Sequence, residues 1–293
     1  MRVLKIVLLS LLGISIVLVG VGFISGMTFN DVKGFFDESY KYTKAEQIVL
    51  DDEVDTIIFD SDIKSLNVET HKLDTITIDY YLRSDEKFNH NINNGTLEIE
   101  SNQPFRLFSF GFGALNKTYN KIVVYLPEDG SYSFDINTDT GDFILTNVKV
   151  NNLEVKIDTG DVTINDVNIS NVTNIKTSTG NIKISDSKAL GVTIKASTGN
   201  ARLTNFEASN IKIDLSTGNI NLRDVISPMF ELKTNTGKIE VDGSYPEYSL
   251  SLKTTTGTIR VDGSIQGNNY NIVKGSNKIE ANTSTGSITI NTK

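Results

Sequence analysis

A threonine-glycine pair recurs through the second half of this chain, with the glycine at 141, 160, 180, 199, 218, 237, 257 and 286. The intervals are 19, 20, 19, 19, 19, 20 and 29 residues. A unit this short cannot enclose a core of its own, so it must stack on copies of itself. Aligned on the glycine, the fifth residue before it reads Ile136, Val155, Ile175, Ile194, Ile213, Leu232, Leu252 and Ala281. The second residue after it reads Phe143, Val162, Ile182, Ala201, Ile220, Ile239, Ile259 and Ile288. The seventh before and the fourth after are apolar in nearly every copy, and the residues between are mostly Lys, Asp, Glu, Asn, Ser and Thr. Period-two alternation with Ile, Val and Thr prevailing predicts strands with one buried face.

The phase of the alternation switches at the glycine, which predicts a corner that only glycine reaches without strain. Inward positions are expected at one, three, five and seven residues before it and two and four after it. The threonine beside each glycine is thus expected to point inward, its hydroxyl bonding along the stack. A second column, Asn147, Asp166, Asp186, Asn205, Asp224, Gly243 and Gly263, lies six residues after the glycines. These residue types predict another turn. The fold class that follows is all-β, a parallel β-helix (β-solenoid) with coils of 19–20 residues. Eight coils at ~4.8 Å would make a rod ~40 Å long. The 29-residue interval predicts a looped-out coil over 263–275, with Gly286 in the final rung. Residues 47–133 lack the repeat but hold predicted strands at 54–59, 65–69, 75–81, 96–100 and 121–126. They read as irregular first coils or a cap, and the regular coils occupy 134–293.

Ahead of all this, residues 6–27 are 22 consecutive residues without a charge. That is long enough to cross a bilayer as one transmembrane helix. Arg2 and Lys5 precede them, and Asp31, Asp37 and Glu38 follow. This asymmetry places the N-terminus in the cytoplasm and the rest outside. The run is longer than the apolar core of a signal peptide and no small-x-small site closes it, so residues 1–27 are expected to stay as an anchor. Residues 28–46 read as a juxtamembrane stalk, with Phe29, Phe35, Phe36, Tyr40 and Tyr42 as aromatic anchors at the interface, or as a short amphipathic helix packed on the exported body.

The repeat Thr-Gly-Asp/Asn-apolar-x-apolar, the VVYLP segment at 123–127 and the single span together resemble a bacterial "putative adhesin" family of unknown function, over about residues 48–293. The resemblance implies a right-handed parallel β-helix on the cell envelope. It brings no catalytic residues with it.

Composition narrows the chemistry. With no Cys, disulfides, thiolate metal sites and cysteine nucleophiles are excluded. The two His, His71 and His90, fall on separate segments. Once Arg2 and Lys5 are set aside, 26 basic residues face 36 acidic ones, a balance of −10 in the exported part. That balance argues against nucleic acid, anionic lipid and anionic wall polymers as partners.

The best candidate cluster is acidic: Asp139 and Asp142 flank the first Thr-Gly, and Asp158 and Asp161 fill the same places one coil later. Oxygen ligands at that spacing suit Ca²⁺. Later coils carry Ser178 with Asn181 and Ser197 with Asn200 instead, so the cluster reads as a solvated acidic corner and we assign no metal, no cofactor and no catalytic residue. Arg202, Arg223 and Arg260 face outward but share no column with acids, against a polysaccharide-cleaving groove. The Phe-rich stretch 104–115 reads as an end plug or as an exposed docking patch. The expectation is a non-enzymatic binding or scaffolding module, an adhesin, in the bilayer through 6–27 and facing an envelope protein, a neutral glycan or a host surface. The alternatives are an accessory or sensor of envelope stress and a polysaccharide-acting enzyme.

Overall fold

The protein is described by a computed structural model over residues 42–45, 47–83, 86–102 and 119–292. The predicted span 6–27, the predicted stalk up to residue 41 and the Phe-rich stretch 104–115 lie outside the described residues. Among the described residues no helix is long and apolar enough to cross a membrane.

The alternation read from the sequence becomes two stacked ladders of parallel strands. Strands leading into the glycines pair in sequence from Ser131–Thr140 through Lys149–Thr159, Asn168–Thr179, the second half of Ile182–Thr198 and Ile211–Thr217 to Met229–Thr236. Strands leaving the glycines pair likewise from Phe143–Thr146 through Val162–Asn165, the first half of Ile182–Thr198 and Ala201–Ala208 to Ile220–Ile226 and Ile239–Gly243. Each residue sits on its counterpart one coil on, as Phe143 on Val162 and Val162 on Ile182. Parallel stacking leaves every inner edge hydrogen-bonded and superposes like side chains into one apolar column. Phe59, Phe143, Phe206 and Phe230 are fully enclosed in it.

Each regular coil turns three inward runs toward that column, one more than the sequence suggests. The third comprises Val148 and Val150, then Val167 and Ile169, then Phe206 and Ala208, and it ends at a register shift such as that between Val150 and Leu153. The second turn column has the left-handed backbone its residue types favour. Its φ is 54° at Asn147 and Asp166 and 51° at Asp186 and Asp224.

At both ends the order of the rungs departs from the order of the chain. Lys278–Thr285 and Ile288–Thr292, the coil of Gly286, do not form the final rung. They lie between the coil of Gly237 and that of Gly257, paired on both sides. The 263–275 loop-out doubles back as two antiparallel strands, Ser264–Ile265 and Asn269–Ile272, that close the last edge. The first end mirrors this. Thr56–Ser61 and Ser65–His71 sit inside, with Thr96–Asn102 and Lys121–Pro127 outside them. Antiparallel Lys87–Asn93 and Ile76–Arg83 cover that end in turn, and Tyr42–Lys44 and Ile48–Leu50 edge the latter. A parallel edge left open is a template for aggregation. An antiparallel strand closes it through a tight turn whose two central residues take positive φ. Asn94-Gly95 is that turn at one end and Asp262-Gly263 at the other, and all four residues have positive φ.

The placement of Tyr42 at a membrane interface is corrected here. Its ring is buried in the body, stacked 5.7 Å from that of Tyr119, with the Lys64 ammonium 5.1 Å from its centre.

Candidate functional site

The glycine corner is the most regular feature of the surface. From Gly141 to Gly237 and at Gly286 the glycine N–H donates to the carbonyl of the threonine in the neighbouring coil, as Gly180 to Thr198 and Gly199 to Thr217, both at 2.9 Å. From Gly160 to Gly218 the φ values run from 148° to 159°, and a Cβ added at any of these glycines would stand 1.8–1.9 Å from the carbonyl oxygen of the glycine below. The coils approach so closely here that any side chain is excluded, which is why the column admits glycine alone.

The threonine beside each glycine is not inward, as the alternation implied. Thr159, Thr179, Thr198 and Thr217 are exposed, because the chain has already begun its turn. The inward hydroxyl belongs to the residue three before the glycine. Thr234, Thr254 and Thr283 are buried there and donate to the carbonyls of Gly218, Gly286 and Gly237 at 2.9, 2.8 and 3.1 Å. Axial hydroxyl bonding exists, two residues from where it was expected. Thr138 and Thr177 hold the same place, but their buried hydroxyls have no partner among the described residues.

The residues after the glycines form a second ladder. The Asp142 carboxylate accepts the backbone N–H of Asp161 at 3.0 Å, and that of Asp161 accepts the N–H of Asn181 at 2.7 Å. The side chains of Asn181, Asn200 and Asn219 continue it, accepting the N–H groups of Asn200, Asn219 and Lys238 at 3.1, 2.9 and 2.7 Å. Asp and Asn are interchangeable here because each supplies one acceptor oxygen to the next coil. The candidate acidic cluster therefore divides by role. Asp142 and Asp161 are rungs of the ladder, whereas Asp139 and Asp158 are exposed, Asp158 accepting from the Ser178 hydroxyl at 3.4 Å. Among the described residues no three His, Asp or Glu side chains are grouped to hold a metal ion.

Between the threonine and Asx ladders runs a shallow groove of about 540 Å³, floored by glycine backbone from Gly160 to Gly218. A second open groove of similar size follows the other turn column past Asn147, Asp166 and Asp186, with Lys149 and Lys188 on its wall. Glu128 and Asp129 also line this second groove. The His71 ring is committed to the carbonyl of Thr75 at 2.6 Å, and His90 lies on a different strand. Arg202 stacks between Lys183 and Asn221, Arg223 between Thr204 and Asp242, and Arg260 faces Thr289. The expectation that these arginines share no column with acids is corrected at Arg223, which the register of the leaving strands sets directly on Asp242.

One ionic feature has no local sequence signal. Lys64 and Glu86 form a buried ion pair, 3.1 Å apart with side chains 1% and 0% exposed. The ammonium also donates to the carbonyls of Tyr81 and Tyr119 at 2.8 and 3.3 Å, and the carboxylate accepts from Ser101 at 2.8 Å. The pair fastens the first coil to the strands that cap it.

The model of the family described as Toastrack DUF4097 matches residues 54–224 and 191–293, which together exceed half of the chain. The chain belongs to the Toastrack DUF4097 family. Among the described residues its architecture is β-only and solenoid-like, which fits that family, and the corner glycines of this Toastrack chain lie within the matched residues. No curated protein matches significantly. Among solved structures, a "putative adhesin" from Bacteroides fragilis is 14% identical and aligns over 84% of this chain and 97% of its own, with a TM-score of 0.43. A "putative cell adhesion protein" from Clostridium sporogenes is 12% identical over 86% of this chain and 100% of its own, with a TM-score of 0.30. A "putative lipid binding protein" from Parabacteroides distasonis is 15% identical over 86% and 94%, with a TM-score of 0.39.

Proposed function

We propose that this Toastrack protein is an adhesin-like binding or scaffolding rod of the cell envelope and not an enzyme. In this reading residues 6–27 hold it in the bilayer with the N-terminus inside, residues 28–41 lead from the membrane to the body, and the solenoid is a right-handed parallel β-helix that projects outward to meet an envelope protein or a glycan. One observation carries the reading: the exposed threonines and Asx residues repeat at every rung from Gly160 to Gly218 without interruption. A catalytic centre concentrates unlike groups at one place and breaks a repeat to do so. A surface that offers the same weak contact at successive rungs is suited to holding an extended partner by their sum.

The test uses the full chain in bacterial cells, with a labelling enzyme fused to its C-terminus. The protein is expected to fractionate with membranes, to be cut by protease added outside intact cells, and to label envelope components. Release of the whole body into the medium, or labelling confined to cytoplasmic proteins, would overturn the reading.

A further inference from the structure

Charge along the glycine corner is sorted by rung. In the segment 135–146 around Gly141 stand Asp135, Asp139 and Asp142, with no basic residue. In 174–185 around Gly180 stand Lys176 and Lys183, with no acid, and in 193–204 around Gly199 stand Lys195 and Arg202, again with no acid. The pairing superposes these cations instead of dispersing them. Lys176 is the strand partner of both Lys156 and Lys195, and Lys183 that of Arg202. Like charges directly opposite in a sheet destabilise it. Among the described residues the solenoid's ion pairs are Lys188–Glu207, Lys212–Glu231, Lys233–Asp214, Lys238–Glu240 and Lys278–Glu280, and Asp214, the strand partner of Lys195 on the next rung, ends the cationic run on that side. Two exposed cationic rims thus face outward on either side of the groove, one on the strands entering the corner and one on those leaving it.

We propose that the corner at Gly180 and Gly199 binds a linear anionic polysaccharide lying along the solenoid axis. Lys176 and Lys195 take its charges on one side and Lys183 and Arg202 on the other. This deepens the binding-rod reading and rests on it. The net balance of −10 in the exported part points the other way. An exposed charge, however, acts within a Debye length of ~8 Å, so the local rungs decide. Rungs ~4.8 Å apart set cations along each rim to meet charges repeated along a polymer. The groove between the rims displays the hydroxyls of Thr179 and Thr198 over a glycine floor, which suits a polyol. The lining lacks the aromatic rings on which nucleic acid bases stack and the apolar side chains that enter a bilayer. The acidic rungs at Gly141 and Gly160 repel the same polymer and confine it to the central coils.

The experiment measures binding of the full chain, held in neutral-lipid nanodiscs without detergent, to fluorescent polygalacturonate and phosphorylated dextran, with unmodified dextran, oligo-dT and phosphatidylglycerol vesicles as comparisons. At low salt either anionic glycan polymer should bind, and which one binds tells carboxylate from phosphate as the recognised charge. Affinity should fall by about tenfold or more as salt is raised. Lys176→Glu with Arg202→Glu should weaken binding by about tenfold or more, and Lys176→Gln alone by less, with the melting midpoint held. Lys253→Glu with Arg260→Glu, the same positions in the end coil, should leave binding within about twofold, since each charge acts only within ~8 Å. Absence of binding to both polymers, or equal binding by the Lys176/Arg202 variant, overturns the proposal. Equal or tighter binding of oligo-dT or vesicles at these residues overturns the glycan assignment. Capture of unmodified dextran by wild type and variant alike would sink the anionic site while leaving the binding-rod reading intact.

Discussion

Replacing Gly218 by alanine tests the packing of the corner most directly. The added Cβ would stand 1.8 Å from the carbonyl oxygen of Gly199, on a backbone with φ of 149°. Real Cβ contacts do not fall below 3.0 Å. The two rungs must therefore part by about 1.2 Å, since atoms in contact repel steeply at shorter range. Three hydrogen bonds cross that seam at the corner: Gly199 N–H to Thr217, Ala201 N–H to Asn219, and Asn219 N–H to the Asn200 side chain, at 2.9, 3.0 and 2.9 Å. Lengthened by that much they cease to be hydrogen bonds, a loss of about 0.5–1.5 kcal/mol each. The Gly-only backbone region adds about 1–3 kcal/mol. The sum is about 2.5–7.5 kcal/mol, and at about 2–4 °C per kcal/mol the melting midpoint should fall by at least about 5 °C. Gly263 supplies the control: its φ is 78°, but no atom lies within 4 Å of an added Cβ. Alanine there carries the backbone cost alone, about 1–2 kcal/mol. Thermal melts of the two variants by circular dichroism decide the matter. If Gly218→Ala melts no lower than Gly263→Ala, close approach of the rungs is not what excludes side chains from the corner.

Three further outcomes are expected. Thr234→Val should lose about 1 kcal/mol with its bond to Gly218, whereas Thr177→Val, whose hydroxyl has no partner among the described residues, should be neutral or stabilising; equal shifts in denaturant melts would refute the distinction. Lys64→Met should cost about 3–5 kcal/mol by stranding the Glu86 carboxylate, and Lys64→Met with Glu86→Leu should recover most of it; a double variant as unstable as the single would show that the pair's other contacts dominate. The Tyr245 phenol donates to the carbonyl of Val225 at 2.7 Å, and burial pushes its ionisation well above the ordinary value near 10. Because the folded form holds the proton more tightly, stability should be full below about pH 10 and decline above it as the unfolded chain ionises first. Tyr245→Phe should flatten that decline while losing about 1 kcal/mol at neutral pH, and an unchanged alkaline slope in pH-dependent melts would count against it.

What the sequence determines about this protein is what one coil determines for itself. Period-two alternation, one corner glycine per coil and an Asx column behind it specify strands, corners and a stack. They do so because they set local backbone geometry and the face each residue turns inward. The two end hairpins are legible too, in Asn94-Gly95 and Asp262-Gly263, though the second also reads as one more coil turn. The threonine beside the glycine is misplaced when alternation is carried one residue too far into a turn. The order of the rungs is not legible at all. Every coil presents an edge of the same spacing, so nothing in the Gly286 coil says whether it follows the Gly257 coil or slides beneath it. Only the closing of loops and the capping of free edges decides that. Likewise, the partnership of Lys64 with Glu86 and the gathering of Lys176, Lys183, Lys195 and Arg202 onto one corner exist only once distant segments are stacked in register. Charge acts through space, and the chain's order does not reveal which charges will be neighbours.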